Sequence, residues 1–368
     1  MAKLICSENS LDGAALFPML PPAPTGLARM AAEASHCADG HDVEFKALDV
    51  RSILNKSISR RQLSLAYSIN PYRGCEFACR YCYARYTHEF LQPAPIAANP
   101  DEEQPWAKAF EHEIYLKENA AWLLEQELRK IDPAREIALG TATDPYQPIE
   151  RTAKITRSLL EVFARKSGFR LGIVTKSRLI ERDIDLLTEI ARRNTLVLHL
   201  TITTPDAALA RILEPRAPRP DLRFAAVRRL REAGLTAGIL CSPLLPGITD
   251  TAEALDRMAA RAAEARASFF AAQPLFLKMC SRPTFLSFVR EHYPHLTGDY
   301  EKRFADHAFA VPVYRDQLAV LVRLVCRRYG LKPRSSDALL TRDPGAQRKL
   351  PGRSENGGHS EAQARLFA

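Results

Sequence analysis

The sequence lacks any apolar run that approaches the roughly 18 residues of a membrane-spanning helix. The best C-terminal candidate, residues 318–326, is interrupted by Arg323. At the start, Glu8 and Asp12 come too early for the apolar core of a signal peptide. An internal repeat of fixed period is also missing. These absences predict a cytoplasmic protein without a membrane partner.

Neither sign of charge is scarce: 52 Lys and Arg residues face 43 Asp and Glu residues, a net charge of +9. This excess favours an anionic partner such as nucleic acid. Basic residues come in pairs at Arg192-Arg193, Arg228-Arg229, Arg327-Arg328 and Arg348-Lys349. Such pairs can neutralise phosphates, but the first three fit the outer faces of helices equally well. Nucleic acid is therefore an expected partner for which the sequence shows no binding motif.

Short β-rich apolar runs alternate with helical patterns through the middle of the chain. Strands are predicted at residues 65–69, 136–141, 171–175, 196–202, 236–241 and 268–274. Helices are predicted at residues 155–166, 180–193, 222–233 and 252–265, with a longer helical insertion at 106–130. This alternation indicates an α/β fold with a parallel sheet. Six units are fewer than the eight of a closed barrel, so an open six-unit barrel and a doubly wound sheet both fit.

The flanks of this core differ from it in composition. Residues 1–60 are predicted to be an N-terminal extension, since several prolines interrupt the start and residues 31–41 show little periodicity. The core is predicted at residues 61–280, followed by a C-terminal helical segment at 281–342. Residues 343–368 are rich in Gly, Pro, Ser and charge and are predicted to be a disordered tail.

Cysteine is sparse except in one cluster. Of eight cysteines, Cys75, Cys79 and Cys82 crowd together directly after the first core strand, where parallel α/β folds place their sites. In an intracellular protein such a cluster indicates a metal site rather than disulfides. Three thiolates can hold three irons of a cubic cluster and leave the fourth open to another ligand. With His88 added, the same cysteines would instead make a Cys₃His zinc site.

The cysteine spacing, Cys-x3-Cys-x2-Cys with Tyr81 before the last cysteine, resembles the signature of the radical S-adenosylmethionine (SAM) superfamily. The resemblance implies a partial (β/α)6 TIM-type barrel with N- and C-terminal extensions. It implies that Cys75, Cys79 and Cys82 ligate a [4Fe–4S] cluster, which reductively cleaves SAM to methionine and a 5′-deoxyadenosyl radical. An electron donor such as flavodoxin or ferredoxin is implied as a partner.

Further strand ends match positions that bind SAM in this superfamily. The segment from Gly140 to Asp144 is similar to the stretch that binds the methionyl amine, Lys176 matches a partner for the carboxylate, and Thr201 offers a hydroxyl to the ribose. The residues thus predicted to hold SAM are Tyr81, Tyr83, Gly140, Thr141, Thr143, Asp144, Lys176, Thr201 and Arg216. Three of these matches also have an ordinary explanation: a loop turn at Asp144-Pro145, a surface lysine at Lys176 and a strand-forming threonine at Thr201.

The segments around Glu214-Pro215-Arg216 and Pro246-Gly247 resemble the branch related to spore photoproduct lyase and described as DNA-repair-photolyase-like. That branch has a hydrogen-donor cysteine where this sequence has Thr141, whose O–H bond is too strong for the task. Cys241 and Cys280 are alternative donors or ordinary packing residues. The expected function is a radical SAM enzyme acting on a nucleic-acid base. The alternatives are a radical SAM enzyme acting on a protein, peptide or small molecule, and a zinc-stabilised binding module.

Overall fold

The computed structural model describes residues 24–40, 42–56, 65–91, 102–308 and 311–333. In chain order its strands are Ser35–Gly40 (β1), Val43–Ala47 (β2), Leu54–Lys56 (β3), Leu65–Ile69 (β4), Tyr72–Arg73 (β5), Glu113–Leu116 (β6), Glu136–Leu139 (β7), Arg170–Thr175 (β8), Thr195–Thr201 (β9), Ala237–Leu244 (β10) and Phe270–Pro274 (β11). The predicted tail at 343–368, the pair Arg348-Lys349 and the predicted boundary at residue 60 lie outside the described ranges.

The helices alternate with the later strands as the sequence predicts. They are Gly26–Ala32 (α1), Pro105–Ala109 (α2), Ala120–Glu127 (α3), Glu150–Ala153 (α4), Ile155–Ala164 (α5), Ile184–Arg193 (α6), Ala207–Leu213 (α7), Pro220–Glu232 (α8), Ala252–Glu264 (α9), Arg282–His292 (α10), Thr297–Arg303 (α11) and Pro312–Arg328 (α12). Within the described part of the chain, no helix is both long and apolar enough to span a membrane.

The larger sheet has the strand order β3-β4-β7-β8-β9-β10-β11. From β4 to β11 every neighbouring pair is parallel and the strands follow one another in chain order. In a doubly wound sheet the strand order reverses part-way across the sheet. Here the strand order never reverses from β4 to β11, as in a barrel. Among the described strands β4 and β11 do not pair with each other, and the barrel is open. The six-unit partial barrel is confirmed.

Apolar burial explains why these strands were predictable. All seven residues of β9 are buried, as expected for a parallel strand covered on both faces. The helix α5 buries Leu159, Leu160 and Phe163 completely against the core. Each such side chain stabilises the fold by about 1.5–3 kcal/mol. The C-terminal helix α12 packs on α9 and β11 through Leu318, Val325 and Cys326.

A smaller sheet, in the order β1-β2-β6-β5, was not predicted. The sequence predicts a helical insertion at residues 106–130, and this is correct for α2 and α3 but wrong for β6 between them. Four residues are too few to establish a periodicity. The strand exists because it pairs in parallel with β2 and antiparallel with β5, which are distant in sequence.

Candidate active site

The three clustered cysteines lie at the carboxyl edge of the larger sheet, on a segment we call the cysteine loop (residues 70–83). Cys75 and Cys79 are buried and Cys82 is half-buried, and all three are free thiols. Burial raises the pKa of each thiol, that of Cys79 to about 12. The charge of Cys82 raises the pKa of Cys75 and Cys79 further. Cys82 therefore lies within electrostatic range of both Cys75 and Cys79.

The smaller sheet holds the first half of this loop through its backbone. Gly74 has a φ of +86°, and a Cβ there would lie 2.7 Å from the carbonyl oxygen of Glu113, so glycine is required. The N–H of Cys75 donates to the carbonyl of Phe110 at 2.9 Å. The buried ammonium of Lys117 donates to the carbonyl of Asn70 at 2.6 Å. Burial, followed by the charge of Arg73, lowers the pKa of Lys117 to about 7.

The segment after β7 holds the loop from the other side. Gly140 has a φ of +91°, and its N–H donates to the carbonyl of Ile69 at 2.9 Å, which joins the ends of β4 and β7. The hydroxyl of Thr143 donates to the carbonyl of Gly74 at 2.5 Å. Three of the predicted residues, Gly140, Thr141 and Thr143, thus lie at the start of the cysteine loop.

Asp144 links this segment to the end of β8. Its carboxylate accepts from the hydroxyl of Thr175 at 2.6 Å and from the N–H of Lys176 at 2.7 Å. Burial raises the pKa of Asp144, although these two hydrogen bonds oppose the shift. Asp144 therefore fixes the backbone that carries Lys176.

Lys176 places a cation beside the cysteines, as predicted. Its ammonium lies 5.6 Å from the centre of the Tyr81 ring. Burial acts to lower its pKa, but the charges of Cys79 and Glu214 more than offset this, and the pKa is raised. The ammonium therefore stays charged and favours an anionic group at this edge.

The two predicted tyrosines are held by hydrogen bonds of their own. The hydroxyl of Tyr81 donates to the carboxylate of Glu214 and lies 3.0 Å from the hydroxyl of Thr203. The hydroxyl of Tyr83 donates to the carbonyl of Thr141 at 2.5 Å, and 39% of Tyr83 is exposed. The hydroxyl of Thr141 accepts from the side chain of Asn70 at 3.4 Å.

Two predicted residues have contacts away from the cysteines. Thr201 is buried, and its carbonyl accepts from Arg223 at 3.2 Å. Arg216 is half-buried and donates to the carbonyl of Glu111 at 3.2 Å, on the segment between α2 and β6. In the Glu214-Pro215-Arg216 segment the glutamate accepts a hydrogen bond from Tyr81 of the cysteine loop. Burial raises the pKa of Glu76 in the same loop, and the charge of Arg216 opposes this shift.

Buried carboxylates are what the sequence reasoning missed. Glu150 and Glu214 are both almost fully buried, and each is paired with an arginine, Arg182 and Arg223 respectively. The sequence did offer one sign of them: each glutamate lies close to an apolar core segment. An acidic side chain buried there needs a partner of opposite charge. The partners themselves are too far along the chain to be read from spacing.

The zinc alternative needs His88 as its fourth ligand. His88 does not join the cysteines: its Nε2 lies 3.0 Å from the carbonyl oxygen of Glu113, and its ring packs against Phe110. Over the described ranges, which include all four residues, no three His, Cys, Asp or Glu side chains surround a single metal position. A cubic cluster takes one thiolate on each of three irons, and these three cysteines supply that donor set. The three thiols beside Lys176 fit a [4Fe–4S] cluster.

The family comparison agrees with this geometry. The family model of the radical SAM superfamily matches residues 69–259, from the end of β4 into α9, which is just over half of the 368 residues. The chain belongs to the radical SAM superfamily. It is therefore an enzyme of a family that uses SAM and a [4Fe–4S] cluster.

Relatives of this radical SAM enzyme occur in bacteria and archaea. An uncharacterized protein of Mycobacterium tuberculosis is 33% identical over 290 residues, which are 78% of this chain and 82% of the relative. An uncharacterized protein of Methanocaldococcus jannaschii is 30% identical over 184 residues, which are 50% of this chain and 62% of the relative.

Solved structures share the fold of this radical SAM enzyme. A variant of spore photoproduct lyase superimposes with a TM-score of 0.56 at 17% identity, over 85% of each chain. Another variant, with bound AdoMet and dinucleoside spore photoproduct, gives a TM-score of 0.54 at 14% identity, again over 85% of each chain. At such identities the likeness establishes a common fold.

Proposed function

We propose that this radical SAM enzyme binds a [4Fe–4S] cluster through Cys75, Cys79 and Cys82 and uses it to cleave SAM reductively, with a nucleic-acid base as substrate. The observation that carries the proposal is the meeting of three thiols with Lys176 and the Gly140–Asp144 segment at one edge of the sheet. When bound, the cluster supplies the electron that converts SAM to methionine and a hydrogen-abstracting 5′-deoxyadenosyl group. We expect flavodoxin or ferredoxin to deliver that electron.

The protein's part is to bind and orient. Lys176 offers a fixed cation to the carboxylate of SAM, because Asp144 holds its backbone and the nearby anions keep it protonated. The segment from Gly140 to Thr143 is the proposed site for the methionyl amine, and its path depends on glycine, because a Cβ at Gly140 would lie 2.5 Å from the carbonyl oxygen of Val174. Tyr83, through its backbone, and Thr201, through its hydroxyl, complete the proposed set. Arg216 stays a weaker candidate, with one hydrogen bond to the carbonyl of Glu111.

The nucleic-acid substrate is supported by the rim beside the cysteine loop. The rings of Tyr83 and Phe276 lie 5.8 Å apart, and the ammonium of Lys278 lies 3.6 Å from the centre of the Tyr86 ring. Aromatic faces with adjacent cations suit the stacking of bases and the binding of phosphate. A spore photoproduct lyase of the same fold binds a dinucleoside photoproduct, which supports the same class of ligand.

The paired arginines do not contribute to this rim. Arg192 and Arg193 pair with Glu189 on α6. Arg229 on α8 pairs with Glu181, and Arg328 on α12 pairs with Asp256. These pairs are solvated helix faces, so the nucleic acid is expected at the rim rather than along these helices.

A second candidate, a radical SAM enzyme that modifies a protein, peptide or small molecule, follows from Thr141. By the sequence resemblance Thr141 stands where the photoproduct lyase branch has its donor cysteine, and its hydroxyl accepts a hydrogen bond from Asn70. Of the alternative donors, Cys241 is fully buried and directed at the carbonyl of Thr203 at 3.6 Å. Cys280 lies beside the cysteine loop, with its thiol 3.8 Å from the carbonyl of Tyr83.

The test begins with protein purified without oxygen. We expect a brown protein with about four irons per chain, a loss of colour in Cys79→Ala, and retention of it in Cys326→Ala, whose thiol lies against the carbonyl of Phe270. Reduction with dithionite in the presence of SAM should then release 5′-deoxyadenosine. A colourless protein with about one zinc would contradict the proposal.

The substrate class is tested separately with oligonucleotides and peptides. We expect DNA or RNA to increase the release of 5′-deoxyadenosine and to bind less tightly as salt increases. The variant Tyr83→Ala should weaken this binding, whereas Arg192→Ala should not. Stimulation by peptides or small metabolites alone would favour the second candidate.

A further inference from the structure

Two tyrosines at opposite ends of the cysteine loop make the same kind of contact. Tyr72 lies three residues before Cys75, and Tyr81 lies between Cys79 and Cys82. Both rings are buried. The hydroxyl of Tyr72 donates to the carboxylate of Glu150, and that of Tyr81 donates to the carboxylate of Glu214.

Each glutamate is fixed to the barrel by an arginine. Glu150 pairs with Arg182 at 2.7 Å, and Glu214 pairs with Arg223 at 2.5 Å. Each arginine also binds the backbone, Arg182 through the carbonyl of Glu150 at 2.8 Å and Arg223 through the carbonyl of Thr201 at 3.2 Å. The two Tyr–Glu–Arg sets therefore anchor the loop at two places, after β7 and after β9.

The residue before each glutamate adds a backbone hydrogen bond to the same loop. The N–H of Ile149 donates to the carboxylate of Glu76 at 2.8 Å. The N–H of Arg80 donates to the carbonyl of Leu213 at 2.9 Å. The contacts around Glu150 thus reach the first half of the loop, and those around Glu214 reach the second half.

Stability alone does not explain these buried charges. A buried ion pair gives little net stabilisation compared with apolar side chains of the same size, because two charges are taken out of water. A phenol that donates to a carboxylate does fix geometry, since the bond is charge-assisted and directional. Each of the two phenols makes one such bond, Tyr72 to Glu150 and Tyr81 to Glu214.

We propose that Glu150 and Glu214 are positioning residues that clamp the two halves of the cysteine loop, so that Cys75, Cys79 and Cys82 hold their places before a cluster binds. The inference rests on the proposed function in one respect, that these thiols ligate the cluster. Ordering the ligands during folding lowers the entropic cost of binding later. Partners that orient ligands in this way typically change metal affinity by 10–100-fold when removed.

The test uses the full-length variants Tyr72→Phe, Tyr81→Phe and the double variant, each of which removes a hydroxyl and leaves the ring. The matched control is Tyr300→Phe, because Tyr300 is equally buried and its hydroxyl donates to the carbonyl of Pro246 at 2.7 Å, outside the loop. The first measurement is the rate at which an iron chelator removes the cluster under anaerobic conditions. The second is the alkylation rate of Cys75 and Cys79 in cluster-free protein, by mass spectrometry.

We expect both rates to rise about tenfold in each loop variant, and further in the double variant, while Tyr300→Phe stays within about twofold of the unmodified protein. Equal rates in all variants, or an equal increase in Tyr300→Phe, would overturn the clamp. If the unmodified protein binds no cluster, the proposed function fails, but the alkylation rates still decide whether the two glutamates hold the loop.

Discussion

The two sheets of this enzyme are assembled in opposite ways. The larger sheet takes its six parallel strands in order from residues 65 to 274, each followed by its own helix or loop. The smaller sheet takes four short strands from between residues 35 and 116; β1 and β2 form a local hairpin, but β6 pairs with β2 and β5 across long separations in sequence. The first follows from local apolar patterns, whereas the second depends on partners that no local pattern indicates.

The sheets also act differently on the cysteine loop. The larger sheet contributes side chains, Lys176, Asp144 and the two clamping glutamates. The smaller sheet contributes backbone contacts at Gly74 and Cys75 and the buried ammonium of Lys117. We therefore expect changes on the larger sheet to act through charge, and changes on the smaller sheet to act through shape and desolvation.

The largest expected effect lies on the charged side. The variant Arg223→Met leaves the carboxylate of Glu214 buried without its arginine, which is expected to lower the free energy of unfolding by about 3–5 kcal/mol. Urea denaturation measures this loss. The matched control is Arg229→Met, because Arg229 is exposed where it pairs with Glu181 and should contribute less than about 1 kcal/mol. Equal losses in the two variants would show that burial does not determine how much each ion pair contributes to the free energy of unfolding.

The next largest effect belongs to the smaller sheet. The variant Gly74→Ala places a Cβ 2.7 Å from the carbonyl oxygen of Glu113 at a positive φ, and should cost about 3 kcal/mol. Gly234→Ala is the control, since Gly234 also has a positive φ but no atom lies within 4 Å of its Cβ position. That variant should lose about 1 kcal/mol in the same denaturation experiment. If Gly74→Ala were as stable as Gly234→Ala, the backbone of the smaller sheet would have to shift at little cost to make room for the added Cβ.

The contrast between the sheets also explains what the sequence predicted. All six core strands were found because each is a short β-rich apolar run that alternates with a helical pattern. The strand β6 was missed because four residues carry no period. Cys75, Asp144 and Lys176 were found because they lie at strand ends within a motif. Glu214 was not singled out, because the tyrosine that binds it lies 133 residues away in the sequence.

A third prediction concerns Lys117, the buried cation of the smaller sheet. Burial and the charge of Arg73 lower its pKa to about 7 in the folded protein, whereas an unfolded lysine titrates near about 10.4. Between these values the unfolded chain binds a proton that the folded protein lacks. The free energy of unfolding therefore rises with pH, by up to about 1.4 kcal/mol per pH unit.

The variant Lys117→Met should remove this contribution. Between about pH 7 and about pH 9 its free energy of unfolding should rise by about 2 kcal/mol less than that of the unmodified protein. Lys46→Met is the control. Burial acts to lower the pKa of Lys46, but hydrogen bonds to Glu113 and Glu44 raise it above its usual value, so its effect lies at higher pH. An unchanged slope in Lys117→Met would show that Lys117 stays charged.

The smallest expected effect lies where the two sheets act on the same atom. The hydroxyl of Thr143, on the segment after β7, donates to the carbonyl of Gly74. Gly74 in turn packs closely against the backbone of Glu113 in the smaller sheet. The variant Thr143→Val keeps the shape of the side chain and removes this hydrogen bond, which should cost about 1 kcal/mol in denaturation. Thr152→Val, whose exposed hydroxyl donates to the carbonyl of Ile149, should change stability by less than about 0.5 kcal/mol. Because the bond joins the two supports of the loop, Thr143→Val should also speed alkylation of Cys75, and a normal rate would mean that either sheet alone holds the loop.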